Sequence, residues 1–271
     1  LTLPARLFAA SFPGERGEQA AFRQLAAWAD FTLVIAPELD GLLEERCRWV
    51  LESGGRLLGP TPEAVRLTAD KLALAKHWRR QGVPTPLTCR PCKCALPYPV
   101  VCKLRHGAGS LGTTLARDAA EQAELVKRPG EWVIQSLVPG RPASLAFLIG
   151  PAEITPLLPA WQHLDSSFRY LGGAAPIPAK LAERVQRLAQ RAVECVPGLL
   201  GYVGVDVILG DAEEGSGDVA LEINPRLTTS YVGLRRLAQG NLAEAMLQCV
   251  QGKTPRLTWQ PGPLRWSADA E

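Results

Sequence analysis

No run of apolar residues in this 271-residue sequence is long enough to cross a bilayer. The best candidate, around 143–161, is broken by Pro151, Glu153, Pro156 and Pro159, whereas a helical span needs roughly 20 predominantly apolar residues. A membrane partner is therefore not expected. Charge of one sign is scarce too. The 30 Lys and Arg residues nearly balance the 27 Asp and Glu residues, giving a formal net charge of +3. The charges are interspersed and the pI is near 8.5. Nucleic-acid binding needs a concentrated basic surface, so nucleic acid is not expected either. Internal repeats are absent. So are the Walker loop and the dinucleotide fingerprint, whose glycine spacings differ from any found here. No secretory leader is recognisable, and the chain starts at Leu1 without a Met, which implies a missing natural amino terminus. Seven cysteines is an odd count. In a chain expected to be cytoplasmic they read as reduced thiols, not as a disulfide framework. Cys89, Cys92 and Cys94 form a CxxCxC stretch, but a structural zinc needs four ligands, and the next candidates, Cys102 and His106, fall in the following strand and loop. The stretch reads as an irregular linker.

A hydrophobic content of 46% allows a sizeable core, and residues 201–233 organise it. Val203, Val205, Val207 and Leu209 alternate with Gly204, Asp206, Ile208 and Gly210; after a polar turn, Val219, Leu221 and Ile223 alternate with Ala220, Glu222 and Asn224. Two paired strands are predicted, with Asp206 mid-strand and Glu222 and Asn224 on one face. A carboxylate in an apolar strand is costly unless it is paired or binds a cation. Three oxygen ligands completed by water and phosphate suit Mg²⁺, so Asp206, Glu222 and Asn224 are the candidate metal ligands. Arg226, two residues on, would neutralise a phosphate or an acyl phosphate.

Upstream, the strand at 99–103 ends in Lys103 and runs into a loop containing Gly107, Gly109, Ser110 and Gly112. Glycines let backbone N–H groups approach phosphates, and Lys103 adds a point charge. Residues 1–69 read as α/β: a strand at 5–10, a helix at 18–29, a buried strand at 31–36, a helix at 42–53 and a short strand at 57–59, in a parallel sheet. Ligands sit off the carboxyl ends of such strands. There Glu38 or Asp40 could hold a substrate ammonium, or Asp40 could cap the next helix. Helices are expected near 71–81, 119–127, 181–196 and 241–250, and further strands at 131–138, 144–149 and 154–158. Residues after Gly252 read as a Pro-rich surface tail carrying Trp259 and Trp266.

Asp206 with Glu222-Ile-Asn-Pro-Arg226 resembles the metal-binding end of the ATP-grasp superfamily of carboxylate–amine ligases. Asp70-Lys71 before a helix, the Lys103 glycine loop and the strand Glu131–Val138 leaving at Pro139-Gly140 resemble its other motifs in order. The resemblance covers 70–252. It implies an α/β (α+β) ATP-grasp fold over 70–252, with a small lobe at 88–140 and a large lobe at 141–252. A Rossmann-like pre-ATP-grasp domain over 1–69 precedes it and a tail over 253–271 follows. Lys71 is implied to reach nucleotide phosphates, Gln135 to meet the adenine amino group, and the backbone of Ser136 and Val138 to meet the ring edge. Arg169 is implied to contact the γ-phosphate, and His163 and Asp165 are placed near the substrate, with a surface role open for His163. Ser136 and Pro142 stand where the family usually carries acids, which leaves the ribose without its usual carboxylate partner. The segments at 35–40, 67–71, 170–173 and 222–231 look most like the tyramine–glutamate ligase group of methanofuran- and methylofuran-type cofactor biosynthesis, in which a tyrosine-using relative is conceivable. The implied cofactors are ATP and Mg²⁺, with Mn²⁺ as an alternative. The implied partners are small amino-acid and amine substrates, and a homo-oligomer is compatible. A pyrrolysine-pathway-like or D-alanine-type ligase, or a non-catalytic ATP-binding regulator, stays open at this point.

Overall fold

The computed structural model describes residues 15–92 and 95–268. Helices α1 (Glu15–Trp28), α2 (Leu42–Glu52), α3 (Pro62–Ala69) and α4 (Lys71–Arg80) come first. The strand expected at 5–10 lies outside the described residues. Among the described residues, 31–36 make a single parallel bridge, Thr32 to Leu57, and neither 31–36 nor 57–59 pairs further. Their apolar residues still serve a core: Val34 and Leu57 pack with Ala26, Leu43, Cys47, Val50 and Val65. Helix α3 was not legible in the apolar pattern. Thr61 Oγ1 accepts from the backbone of Ala64, and Pro62 holds the first helical position, both good starts. Asp70 caps α4 by accepting from the N–H groups of Leu72 and Ala73, while Thr68 bonds back to the Ala64 carbonyl.

A four-stranded antiparallel sheet follows: β1 (Thr88–Cys89), β2 (Val100–Leu104), β3 (Thr114–Ala116) and β4 (Trp132–Ser136), in the order β1-β4-β2-β3. Val100, Cys102 and Ile134 pack against Ala116, Trp132 and Leu125 of α5 (Ala119–Val126). Alternation then sends Val101, Lys103 and Gln135 to the opposite face.

The larger sheet holds β5 (Arg141–Ile149), β6 (Ile154–Pro156), β7 (Ala160–Leu164), β8 (Tyr170–Ala175), β9 (Gly201–Leu209) and β10 (Val219–Asn224). Helix α6 (Ala179–Glu194) covers one face, burying Val185, Leu188, Ala189, Ala192 and Val193 against Leu145, Phe147, Val203, Val205 and Val207. Each of the Val, Leu and Phe side chains among them contributes about 1.5–3 kcal/mol when fully buried. Helices α7 (Ser230–Leu237) and α8 (Leu242–Val250) flank the sheet, and β11 (Ala238–Gln239) pairs with β12 (Thr258–Trp259). The last strand, β13 (Leu264–Ser267), completes the order β10-β9-β5-β7-β8-β13, with β6 on β5.

Three expectations are corrected here. The segment after Gly252 is not merely draped over the surface. It supplies an edge strand whose Trp266 is buried, because β8 offers a free edge lined by small residues. The strict alternation on β10 fails at a bulge between Ala220 and Glu222. Ala220 consequently pairs with Val207 in the core, while Leu221 and Glu222 both turn to the opposite face. The reduced-thiol reading holds for Cys47, Cys92, Cys102, Cys195 and Cys249 but not for Cys89, which is disulfide-bonded. Cys94 lies outside the described residues.

Candidate active site

A cavity of about 520 Å³ lies between the two sheets. Lys71, Lys103, Gly107, Gly109, Ser110, Gln135, Ser136, Val138, Asp206, Glu222, Asn224 and Arg226 all line it. Residues from 71 to 226 thus converge because two sheets present their non-core faces to one another.

The carboxylates set its electrostatics. Glu222 and Asp206 are cross-strand partners on β10 and β9. Gln162 Nε2 donates to Asp206 Oδ1 at 2.8 Å and Asn224 Nδ2 donates to Asp206 Oδ2 at 3.0 Å. Burial, then the charge of Glu222 and its hydrogen bond, push Asp206 up to about 8. Burial acts on Glu222 in the same sense, but the ammonium groups of Lys71 and Lys103 outweigh it and hold Glu222 below the usual carboxylate range. Lys71 Nζ sits 3.7 Å from Glu222 Oε2 and donates to the Gly107 carbonyl at 2.6 Å. Burial lowers the pKa of Lys103, with Glu222 and Asp206 opposing the shift.

This donor set fits a hard divalent cation. Two adjacent carboxylates are pushed apart in pKa for want of counter-charge, and the Asn224 amide, having donated through Nδ2, keeps its Oδ1 for a ligand. Among the described residues no cluster of three or more His, Cys, Asp or Glu side chains could hold a metal, so such a cation would complete its shell with water or phosphate oxygens.

Arg226 Nε lies 3.0 Å from Glu38 Oε1, and its Nη2 donates to Glu38 Oε2 at 3.1 Å. Glu38 is buried, so the amino-terminal unit orients the arginine. Asp40 is exposed, stands in a left-handed turn at φ 53° and caps no helix; Gly41 takes the position before α2. Gln135 Nε2 donates to Thr88 Oγ1, which leaves its carbonyl oxygen to accept from an amino group. The Ser136 N–H donates to the Leu87 carbonyl and its hydroxyl accepts from the Leu87 N–H, so the N–H is committed within the protein.

Of the expected residues, Glu38, Asp40, Gly112 and Arg169 are not brought into the lining. Gly112 lies beneath the loop, where a Cβ would meet Leu104 at 3.3 Å and Trp132 at 3.4 Å. Arg169 is exposed and donates to Asp165, whose carboxylate also takes the N–H groups of Ser167 and Arg169. Asp165 itself reaches the lining and His163 does not, while Pro142 does.

Sequence reasoning missed Gln162, whose place two residues before Leu164 on β7 was open to an alternation argument. It also missed the hydroxyl group of Tyr202, Thr228 and Ser230, linked at 3.1, 3.1 and 2.7 Å. Gly204 makes room for it, since a Cβ there would meet Thr228 Cγ2 at 2.7 Å.

Known proteins fit this arrangement. The model of the ATP-grasp domain matches residues 68–230, and that of the pre-ATP-grasp domain matches residues 3–65. The tyramine–L-glutamate ligase of Methanocaldococcus fervens is 30% identical over 81% of the chain. The match spans 65% of that relative's length, so the chain covers slightly under two thirds of it. The crystal structure of an ATP-grasp superfamily protein from Archaeoglobus fulgidus superposes with a TM-score of 0.70 at 28% identity, covering 88% of this chain and 70% of that one. The biotin carboxylase domain of the Hydrogenobacter thermophilus 2-oxoglutarate carboxylase, solved with MgADP and bicarbonate, gives 0.75 at 18% identity over 91% of this chain and 60% of that one, a likeness of fold alone. The chain therefore belongs to the ATP-grasp family, with a pre-ATP-grasp domain ahead of its ATP-grasp domain.

Proposed function

We propose that the protein is an ATP-dependent ligase that joins an amino-acid carboxylate, glutamate foremost, to a tyramine- or tyrosine-like amine through an acyl phosphate. The observation that carries this reading is the Asp206–Glu222 pair facing Lys71, Lys103 and Arg226 in one cavity. The similarity to the tyramine–L-glutamate ligase supports the choice of substrates.

Lys71, Lys103 and the backbone of Gly107, Gly109 and Ser110 would position the phosphates of ATP. Gln135 would accept from the adenine amino group, with Val138 beside the ring. Asp206, Glu222 and Asn224 would hold Mg²⁺ or Mn²⁺, which offsets charge on phosphate oxygens. A carboxylate oxygen of the acid attacks the γ-phosphorus, the bond from that phosphorus to the β–γ bridging oxygen breaks, and ADP departs. Arg226, oriented by Glu38, then lies against the acyl phosphate. The amine nitrogen attacks the acyl carbon, the carbon–oxygen bond to phosphate breaks, and the nitrogen gives up a proton to the departing phosphate as the amide forms. No enzyme nucleophile takes part. Burial raises the Cys47 and Cys249 thiols to about 12 and 11, so they stay protonated. The test is ADP release across a matrix of amino acids and amines. Release is expected only when both an acid and an amine are present; nucleotide binding without turnover across the matrix would favour a regulatory ATP-binding role.

A further inference from the structure

The last strand, β13, lies beyond the residues matched by the ATP-grasp model, yet its Trp266 reaches a residue of the cavity wall. Trp266 Nε1 donates to Tyr170 Oη at 2.9 Å. An indole N–H can only donate, so the phenol oxygen must accept, and the tyrosine's own O–H is left to point elsewhere. Tyr170 lines the cavity, and no acceptor for its proton is found among the described residues. The phenol thus retains an O–H that can be donated to a ligand in the cavity that Tyr170 lines. It also keeps its proton: burial first, with Asp206 and Tyr202 adding to it, raises Tyr170 to about 12.

Trp266 cannot easily move out of this role. A Cβ on Gly233 of α7 would meet its ring at 2.2 Å, and one on Gly173 of β8 would meet it at 2.5 Å. Both glycines therefore admit an indole that a larger residue would expel. The ring is buried in a small cluster with Ala160, Ala175 and Leu237, and its strand runs antiparallel to β8 with Trp266 opposite Gly173. Tyr170 starts that same strand, so β13 fixes both the strand and the phenol at its end.

We propose that Tyr170 donates a hydrogen bond to an anionic oxygen of the substrate acid or its acyl phosphate at the carboxylate end of the cavity, and that Trp266 is the positioning residue that holds it there as a donor. This rests on the ligase reading above. It assigns to the carboxy-terminal strand a part in turnover that the ATP-grasp match leaves without a role.

The test is a double-mutant cycle on steady-state ADP release, with wild type, Tyr170→Phe, Trp266→Phe and the double variant. Tyr170→Phe removes only the hydroxyl and should lower kcat about tenfold or more while leaving the calorimetric Kd for Mg-ATP within about twofold, as loss of an interaction made at the reacting end does. Trp266→Phe keeps an aromatic ring but loses the N–H, and should lower kcat by a similar factor. In the Tyr170→Phe background it should do nothing further, because the group it positions is already gone. Additive losses, or an unchanged kcat in Tyr170→Phe, overturn the proposal. Tyr170→Phe leaves the Trp266 packing in place, so its result stands even if Trp266→Phe folds poorly. Wild-type protein that releases no ADP with any acid–amine pair refutes the ligase reading and this proposal with it; wild-type turnover with an additive cycle refutes this proposal alone.

Discussion

Replacing Lys103 by alanine is the sharpest probe of nucleotide binding. Its side chain rises from β2 into the cavity, beside Lys71 and facing Glu222 and Asp206. At 4 Å a lysine and one phosphate charge interact by about 4 kcal/mol at an effective dielectric constant near 20. Burial already disfavours the free lysine's charge, so part of that attraction only restores what desolvation removed. The net loss should resemble that of a hydrogen bond to a charged group, about 1.5–3 kcal/mol, or roughly 10- to 150-fold in Kd. The loss of one ammonium from around Glu222 works in the same direction, because the carboxylate pair becomes harder to keep charged for a cation. Isothermal titration calorimetry with Mg-ATP reads the change directly, and thermal melting of the free protein separates binding from folding. A Kd within twofold of wild type, with the fold intact, would remove Lys103 from the phosphate site and refute the placement.

Other outcomes follow from the same geometry. Glu222→Gln keeps shape and loses one anionic ligand, so it should fold with an unchanged circular dichroism spectrum and lose most turnover. Glu38→Gln leaves Arg226 without its ion-pair partner and should cut kcat/KM about tenfold or more, since removing one side of a buried pair is costly; unaltered kinetics would show that Glu38 does not orient Arg226. Arg169 is exposed and tied to Asp165, so Arg169→Ala should leave the Mg-ATP Kd within about twofold. Asp70 caps α4 and takes two hydrogen bonds from Arg105. Burial pushes Asp70 up, but Arg105 and the Ala73 N–H outweigh it and hold it below its ordinary value. Its contribution to stability is therefore present above the unfolded value of about 3.9 and is lost as pH falls through the lower folded value. Asp70→Asn should flatten the acid limb of the pH–stability curve measured by urea unfolding, and an unchanged limb would contradict the pairing.

Much of the candidate site was legible because strands place their side chains in alternation. Glu222 and Asn224 could be put on one face and Asp206 mid-strand from spacing alone, and Lys103 with its glycine loop could be read as a phosphate cradle. Alternation also has a definite failure, the bulge at Ala220–Glu222, which no local residue type announces. The pairing of Glu38 with Arg226 spans 188 residues, and nothing in either segment predicts it. Among the described residues the parallel strands expected near 31–36 and 57–59 meet at one bridge, because apolar, β-prone segments can pack without completing a ladder. Trp266 looked like tail because a short Pro-flanked segment gives no periodicity. Its burial depends on Gly173 and Gly233, which are distant in sequence and small enough to receive an indole.

The most direct measurement follows the oxygen of the acid. With the substrate carboxylate labelled by a heavy oxygen isotope, ATP and the amine are supplied and the released phosphate is analysed by mass spectrometry. The acyl-phosphate route carries one carboxylate oxygen from carbon to phosphorus, so labelled phosphate should appear in step with the amide. Amide formed with label-free phosphate would contradict it.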